Sequence, residues 1–242
     1  MHPDAQIPYQ TKELDPRWTA VDHYAISHLH PSNSPYHAAL EHAAQLQHSR
    51  GLPDIAVSPL QGSFLAMQCR LMGVSHVLEI GTLGGYSTIW LASADPGIKI
   101  TTIEVIEEHA AVAREAFEYA GISDRVEIIV GTGRDVLPRL QREVDLGRRD
   151  KYGFVFVDAD KPSNAFYLDK SVGLTKSRGC IIVDNVVRKG TLAREDLAAD
   201  DPKVRGSREV VEAAGRDQRI DATLMQTVGE KNYDGFLICA VR

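Results

Sequence analysis

The sequence predicts an α/β fold: one mostly parallel β-sheet with helices on both faces, extra helices in front and an antiparallel pair of strands at the end. Three observations carry that prediction. From residue 76 onward the short β-rich runs HVLEIG, IKITTIE, RVEIIV, YGFVFVDA and GCIIVD alternate with stretches of helical period. Near-continuous apolar strands joined by helices mark a parallel sheet covered on both sides. The first seventy residues lack such runs and instead carry helix starts. At the tail, DATLMQTV and DGFLICAVR are joined by only a few polar residues, so they pair antiparallel at one side of the sheet.

The elements follow in order. Asp15-Pro16, Ser34-Pro35 and Ser58-Pro59 each place a capping oxygen before a proline at the first helical position. The third start has Gln61 to complete a capping box and Gly73 to stop the helix. Trp18 and Tyr24 recur at helical period among apolar neighbours and read as core residues. Further on, EEHAAVAREAFEYAG is a helix that Gly121 ends, and about twenty residues between FVFVDADK and CIIVDN leave room for a crossover helix. The stretch RKGTLAREDLAADDPKVRG, Arg188 to Gly206, is long, charged and without strand pattern, and reads as a wall over a substrate.

Composition bounds the function classes. With 242 residues, 43% hydrophobic and 25% charged, the chain can bury one sizeable core, and we read a single domain over 1–242. Within it, 1–56 is a helical extension covering the site and 57–242 the core. A net charge of −6, with lysines and arginines scattered among acids, leaves no basic footprint for nucleic acid. The three cysteines, Cys69, Cys180 and Cys239, are widely spaced in apolar surroundings and read as reduced core thiols, which favours the cytoplasm. The opening MHPDAQIPYQ is polar, and no apolar run approaches the ~20 residues of a membrane span, so neither export nor anchoring is expected. The histidines at 23, 28, 30, 37, 42 and 48 lack cysteine or HExxH company and read as solvent-facing rather than as a zinc site.

The stretch VLEIGTLGGYS, 77–87, carries the first functional signal. In a doubly wound sheet ligands sit beyond the carboxyl ends of the strands, where this glycine turn falls. The dinucleotide fingerprint GxGxxG has a second glycine that admits a pyrophosphate; here Leu83 stands in its place. A cofactor without phosphates, with an amino acid end and a nucleoside end, fits better. Ser87 and the amides of the helix start suit a carboxylate, and Glu104, ~20 residues beyond the turn, suits two ribose hydroxyls.

Two later strands end alike, FVFVDADK at Asp158 and CIIVDN at Asp184. If the strands are neighbours, ~4.8 Å apart, both carboxylates overhang one edge and repel unless a positive charge lies between them. Asn185 adds a neutral oxygen, and it can converge with Asp184 only if the chain leaves strand geometry there. Three hard oxygen donors suit Mg2+, with Mn2+ or Ca2+ as substitutes. Positions left open on such an ion suit the two adjacent hydroxyls of a catechol.

These motifs in this order, VLEIGTLGGYSTIWLA, ITTIEV, AGISDRVEIIVG, FVFVDADK and IIVDN, resemble the cation-dependent O-methyltransferases of the catechol and caffeoyl-coenzyme A type, from about Val57 to the C-terminus. The resemblance implies a Rossmann-like class I methyltransferase fold with seven strands, S-adenosylmethionine as methyl donor and a homodimer. It places Glu79, Gly81, Tyr86 and Ser87 around the methionine part, Glu104 at the ribose, Gly133 and Arg134 at the adenine, and Val57 and Ser58 over the cofactor. Lys161 matches the family's proposed general base beside Asp158, and Asp160 is read either as a site residue or as a helix cap. The implied reaction is methyl transfer to one hydroxyl of a vicinal dihydroxy aromatic, such as a catechol, flavonoid or caffeoyl compound. The competing readings are a dinucleotide oxidoreductase, which Leu83 disfavours, a metal-independent methyltransferase, and a non-catalytic binding protein that has kept the fold.

Overall fold

The computed structural model describes residues 15–30 and 32–242; the polar opening MHPDAQIPYQ lies outside the described residues. Three helices come first, α1 (Pro16–Leu29), α2 (His37–Ser49) and α3 (Pro59–Leu71). The alternating part follows: β1 (His76–Ile80), α4 (Tyr86–Ala92), β2 (Lys99–Glu104), α5 (Glu107–Ala120), β3 (Val126–Val130), α6 (Gly133–Asp145), β4 (Tyr152–Val157), α7 (Asn164–Leu174) and β5 (Thr175–Val183). Two further helices, α8 (Glu195–Ala198) and α9 (Pro202–Arg216), lead to β6 (Ile220–Val228) and β7 (Tyr233–Val241).

All seven expected strands form one sheet in the order β3-β2-β1-β4-β5-β7-β6. The first five are parallel, and β7 runs antiparallel to both β5 and β6. Strand order reverses between β1 and β4, so their carboxyl ends border the crevice where such sheets bind ligands. Apolar residues fill both faces. Val77, Phe154, Phe156 and Ile182 meet α2, α3, α4 and α5 on one side, while Leu78, Ile80, Val155 and Ile181 meet α6, α7 and α9 on the other. Among the described residues, no helix is long and apolar enough to cross a membrane.

Local chemistry explains most boundaries. Asp15 caps α1 by accepting from the Arg17 amide at 2.8 Å, and Ser58 caps α3 by accepting from the Gln61 amide at 3.2 Å. Gly73 (φ 61°) and Gly121 (φ 66°) take the left-handed conformation that ends α3 and α5.

Two expectations need correction, and a third gains detail. The second helix does not start at Ser34-Pro35, which sits in a turn; it starts at His37 with no side-chain cap. Tyr36 sets that entry, because its ring packs on the core and its hydroxyl accepts from Arg125 at 3.0 Å. Tyr24 is not a core residue but 69% exposed. The residue α1 buries is Asp22, whose carboxylate accepts the Glu230 amide at 2.7 Å in the β6–β7 turn. Finally, the 188–206 stretch is largely ordered. Arg188 (φ 50°), Lys189 (φ 57°) and Gly190 (φ 79°) form a left-handed run, a short turn and α8 follow, and Asp201-Pro202 starts α9 with Asp201 accepting from the Lys203 amide at 2.8 Å. That last start repeats the acid-proline device read at Asp15.

Candidate active site

The glycine turn between β1 and α4 is shaped by its neighbours. Gly81 has φ 101°, and a Cβ there would lie 2.0 Å from the Asp158 carbonyl oxygen. Only glycine lets the turn after β1 touch the end of β4. Leu83 adopts φ 50°, a conformation costly for a branched side chain. Glu104 holds it: its Oε2 accepts from the Leu83 amide at 2.8 Å and the Thr82 amide at 3.2 Å, and its Oε1 accepts from the Ile106 amide at 3.0 Å. The acid at the end of β2 thus organises the turn as well as standing beside it.

Glu79 is fully buried under the same turn. Its Oε1 accepts from Ser87 Oγ at 2.7 Å, and its Oε2 from Thr88 Oγ1 at 2.5 Å and Thr102 Oγ1 at 2.6 Å. Burial outweighs these three donors and pushes the carboxyl up to about 7. Its link to any ligand therefore runs through Ser87, the second residue of α4. Tyr86, the first, is partly buried against the core, and burial raises its phenol. Val57 packs into the same core just before the α3 cap, and Lys231 Nζ holds the preceding Ala56 carbonyl at 2.7 Å.

At the end of β3, Thr132 caps α6 and Gly133 and Arg134 open it. Gly133 abuts the Tyr167 ring, 2.7 Å from where its Cβ would be, and Arg134 lies over the Phe166 ring at 5.0 Å. Asp160 makes no cap; it accepts the Tyr167 hydroxyl, so the helix-cap reading of this residue is corrected.

The acids stand on neighbouring strands, which meets the condition for both to overhang one edge of the sheet. Val157 registers with Val183, and the Asp184 amide donates to the Val157 carbonyl at 2.9 Å. Lys161 joins the two: its Nζ donates to Asp158 Oδ1 at 2.9 Å and to the Asp184 carbonyl at 3.3 Å. Burial, with the Asp158 charge behind it, pushes Asp184 up to about 7, while Lys161 opposes the shift. Asn185 does leave strand geometry, at φ 55°, and its amide donates to Asp184 Oδ1 at 2.8 Å. Among the described residues no three His, Cys, Asp or Glu side chains gather to hold a metal; the donors here are two carboxylates and one carboxamide.

Sequence reasoning missed several supports. Thr88 and Thr102 carry no motif, and Asp234, which accepts the Arg188 amide at 2.8 Å and the Gly235 amide at 2.9 Å, lies 46 residues from the run that it anchors. The only signal for Asp234 was its place at the start of the last strand.

The arrangement holds a turn suited to an amino acid nucleoside directly against an acid pair, Asp184 buried and Asp158 partly exposed, with a lysine. Comparison with known proteins agrees with it. Residues 30–240 match the family described as O-methyltransferase. The O-methyltransferase imqG of Aspergillus flavus is 48% identical over 94% of this chain and 92% of its own length. A catechol O-methyltransferase of Mycobacterium tuberculosis is 40% identical over 84% of this chain and 89% of its own. The crystal structure of an O-methyltransferase from Bacillus cereus, in complex with S-adenosylhomocysteine (SAH), superposes with a TM-score of 0.87 at 40% identity, covering 94% of this chain and 99% of that one. With its Rossmann-like seven-stranded sheet, this chain belongs to the O-methyltransferase family.

Proposed function

We propose that the chain transfers the methyl group of S-adenosylmethionine to one hydroxyl of a vicinal dihydroxy aromatic small molecule, with a divalent cation, Mg2+ or a substitute, held by Asp158, Asp184 and Asn185. One observation carries the reading: the backbone contact between Gly81 and Asp158 sets the donor turn directly beside the acid pair. Methyl transfer needs two substrates at attack distance, an effect that reaches ~7 to 11 kcal/mol in well-oriented systems. The relatives support each half. The Bacillus cereus enzyme carries SAH, the product that S-adenosylmethionine leaves after losing its methyl, and the Mycobacterium tuberculosis relative is named for catechol.

The residues present fit a hard dication. All three side chains offer oxygen, and Asp184 is pushed up by burial and by Asp158, a shift that Lys161 only partly opposes and that a bound cation would relieve. When bound, such an ion would favour the anionic form of a phenol and orient an adjacent pair of hydroxyls. The chain's own groups do the rest. Lys161 Nζ, at the rim of the acid pair, takes the phenol proton once it has lost one of its own and stands as the neutral amine, which makes Lys161 and Asp158 the catalytic residues. On the donor side, Gly81, Tyr86 and Ser87, with Glu79 behind, hold the methionine part, Glu104 the ribose, Gly133 and Arg134 the adenine, and Val57 covers the whole. A homodimer belongs to the same reading on the family resemblance alone, and a cytoplasmic location on the three free, buried cysteines.

The test is labelled-methyl transfer to a panel of aromatic diols and matched monohydroxy compounds, with and without chelator. The expected result is transfer to diols only, abolished by chelator and restored by Mg2+. Equal transfer to monohydroxy compounds, or transfer indifferent to chelator, overturns the assignment.

A further inference from the structure

The turn that carries Lys161 is supported from outside the site by helix α9. Gly206, in the second turn of that helix, is buried. A Cβ at this position would lie 2.2 Å from the Lys161 carbonyl oxygen, 2.7 Å from the Lys161 carbonyl carbon and 2.8 Å from the Pro162 Cα. All three are backbone atoms, so no flexible side-chain end can move aside. A glycine inside a helix is unfavourable relative to alanine, and nothing in the helix itself asks for one here. The close approach to the lysine turn does.

Both partners of the contact are stiff. The turn Lys161–Ser163 is closed by the Ser163 amide on the Asp160 carbonyl at 3.1 Å, and the Asn164 amide donates to the Lys161 carbonyl. Pro162 fixes its own φ. On the other side, α9 is pinned at its start by the Asp201 cap, in the core by Val204 and Val210, and on the short turn Thr191–Ala193 by Arg208, whose Nη1 donates to the Leu192 carbonyl at 2.9 Å. The Lys161 side chain is buried and ends on Asp158, so its stem has little freedom to absorb a displaced backbone.

We infer that Gly206 is a positioning residue for Lys161: helix α9 holds the Lys161–Pro162 turn at the depth that puts the ammonium on Asp158, and only a residue without a side chain allows that depth. The inference rests on the proposed role of Lys161.

A double-mutant cycle tests it. Gly206→Ala, Lys161→Met and the double variant are assayed for kcat and KM with a diol acceptor and for S-adenosylmethionine affinity by titration, with thermal unfolding to confirm the fold. Gly215→Ala is the control on the same helix, since an added Cβ there meets nothing within 4 Å. A misplacement on the order of 1 Å costs about 100-fold in well-oriented sites. Gly206→Ala is therefore expected to lower kcat by about 10- to 100-fold while acceptor KM and S-adenosylmethionine affinity stay within about twofold. In the Lys161→Met background the same change is expected to cost less than about twofold, because residues acting through one another are not additive. Gly215→Ala keeps parental kcat.

Parental kcat in Gly206→Ala overturns the inference, and so does an equal loss in both backgrounds. Lys161→Met with undiminished kcat sinks the lysine's role, and this inference with it, whereas an impaired Lys161→Met combined with additivity sinks the Gly206 assignment alone. Should Gly206→Ala fail to fold, Pro162→Gly loosens the same turn without inserting an atom. It is then expected to lower kcat several-fold, and to do so only when Lys161 is present; unchanged kcat counts against the inference.

Discussion

Glu79 offers a direct test of the buried support beneath the donor turn. Its carboxyl, ordinarily near 4.5, is pushed up to about 7 in the folded chain by burial, despite three hydroxyl donors. Between those two values the folded chain keeps the proton and the unfolded chain has lost it, so stability falls as pH rises. Linkage puts the loss at about 1 kcal/mol at pH 5 and about 3 kcal/mol at pH 8, a difference of about 2 to 3 kcal/mol. Glu79→Gln removes the titration and keeps the shape. Its amide oxygen can still accept from Ser87, and Thr102 can turn its hydroxyl to Thr82 Oγ1, which is 2.5 Å away.

The assay is urea unfolding of parent and variant at both pH values. Any fixed cost of rearranging the hydroxyls cancels when the two differences are subtracted, as does every other titrating group. The variant should gain about 2 to 3 kcal/mol on the parent between pH 5 and pH 8. S-adenosylmethionine affinity should stay within a few-fold of the parent's, because Ser87 keeps its partner. A parent-to-variant difference that is the same at both pH values would refute the claim that burial raises this carboxyl in the folded chain.

Two other substitutions probe the two sides of the crevice. Asp158→Ala should abolish metal-dependent turnover, a loss beyond the ~10- to 100-fold typical of outer-sphere partners, while S-adenosylmethionine titration shows only modest weakening; equal loss of both would mean the cation site is misplaced. Gly81→Ala forces a Cβ to within 2.0 Å of the Asp158 carbonyl at φ 101° and should cost at least ~1 to 3 kcal/mol of stability. It should also lose S-adenosylmethionine binding, and parental affinity by calorimetry would show that the turn has slack.

What could be read from the residues was what short-range physics decides. The apolar runs located β1, β2, β4 and β5 because a strand buried on both faces has no other composition to use. The similar ends at Asp158 and Asp184 placed both acids on one edge provided that their strands were neighbours, and the strands do pair. The departure of Asn185 from strand geometry followed from side-chain alternation alone, and φ 55° bears it out. Long-range partners were not legible. Ser34-Pro35 carries the same signal as Asp15-Pro16, yet Arg125, 89 residues from Tyr36, decides where that helix begins. Tyr24 follows helical period but faces out, because Asp22 meets a turn 208 residues away.

Glycine shows the boundary between the two kinds of information most sharply. In the sequence Gly81 and Gly206 are permissive residues of different standing, one in a recognisable turn and the other inside a charged stretch read as loop. In the structure each is defined by the backbone that presses on it, Asp158 for the first and Lys161 with Pro162 for the second. Both approaches land on the same four-residue motif, from opposite sides. The motif's acid and lysine are therefore held by main-chain contacts that no substitution can enter without moving the groups that the proposed reaction uses. Local pattern places reactive side chains on strand ends, but the distance between them is set by where remote segments lack a Cβ.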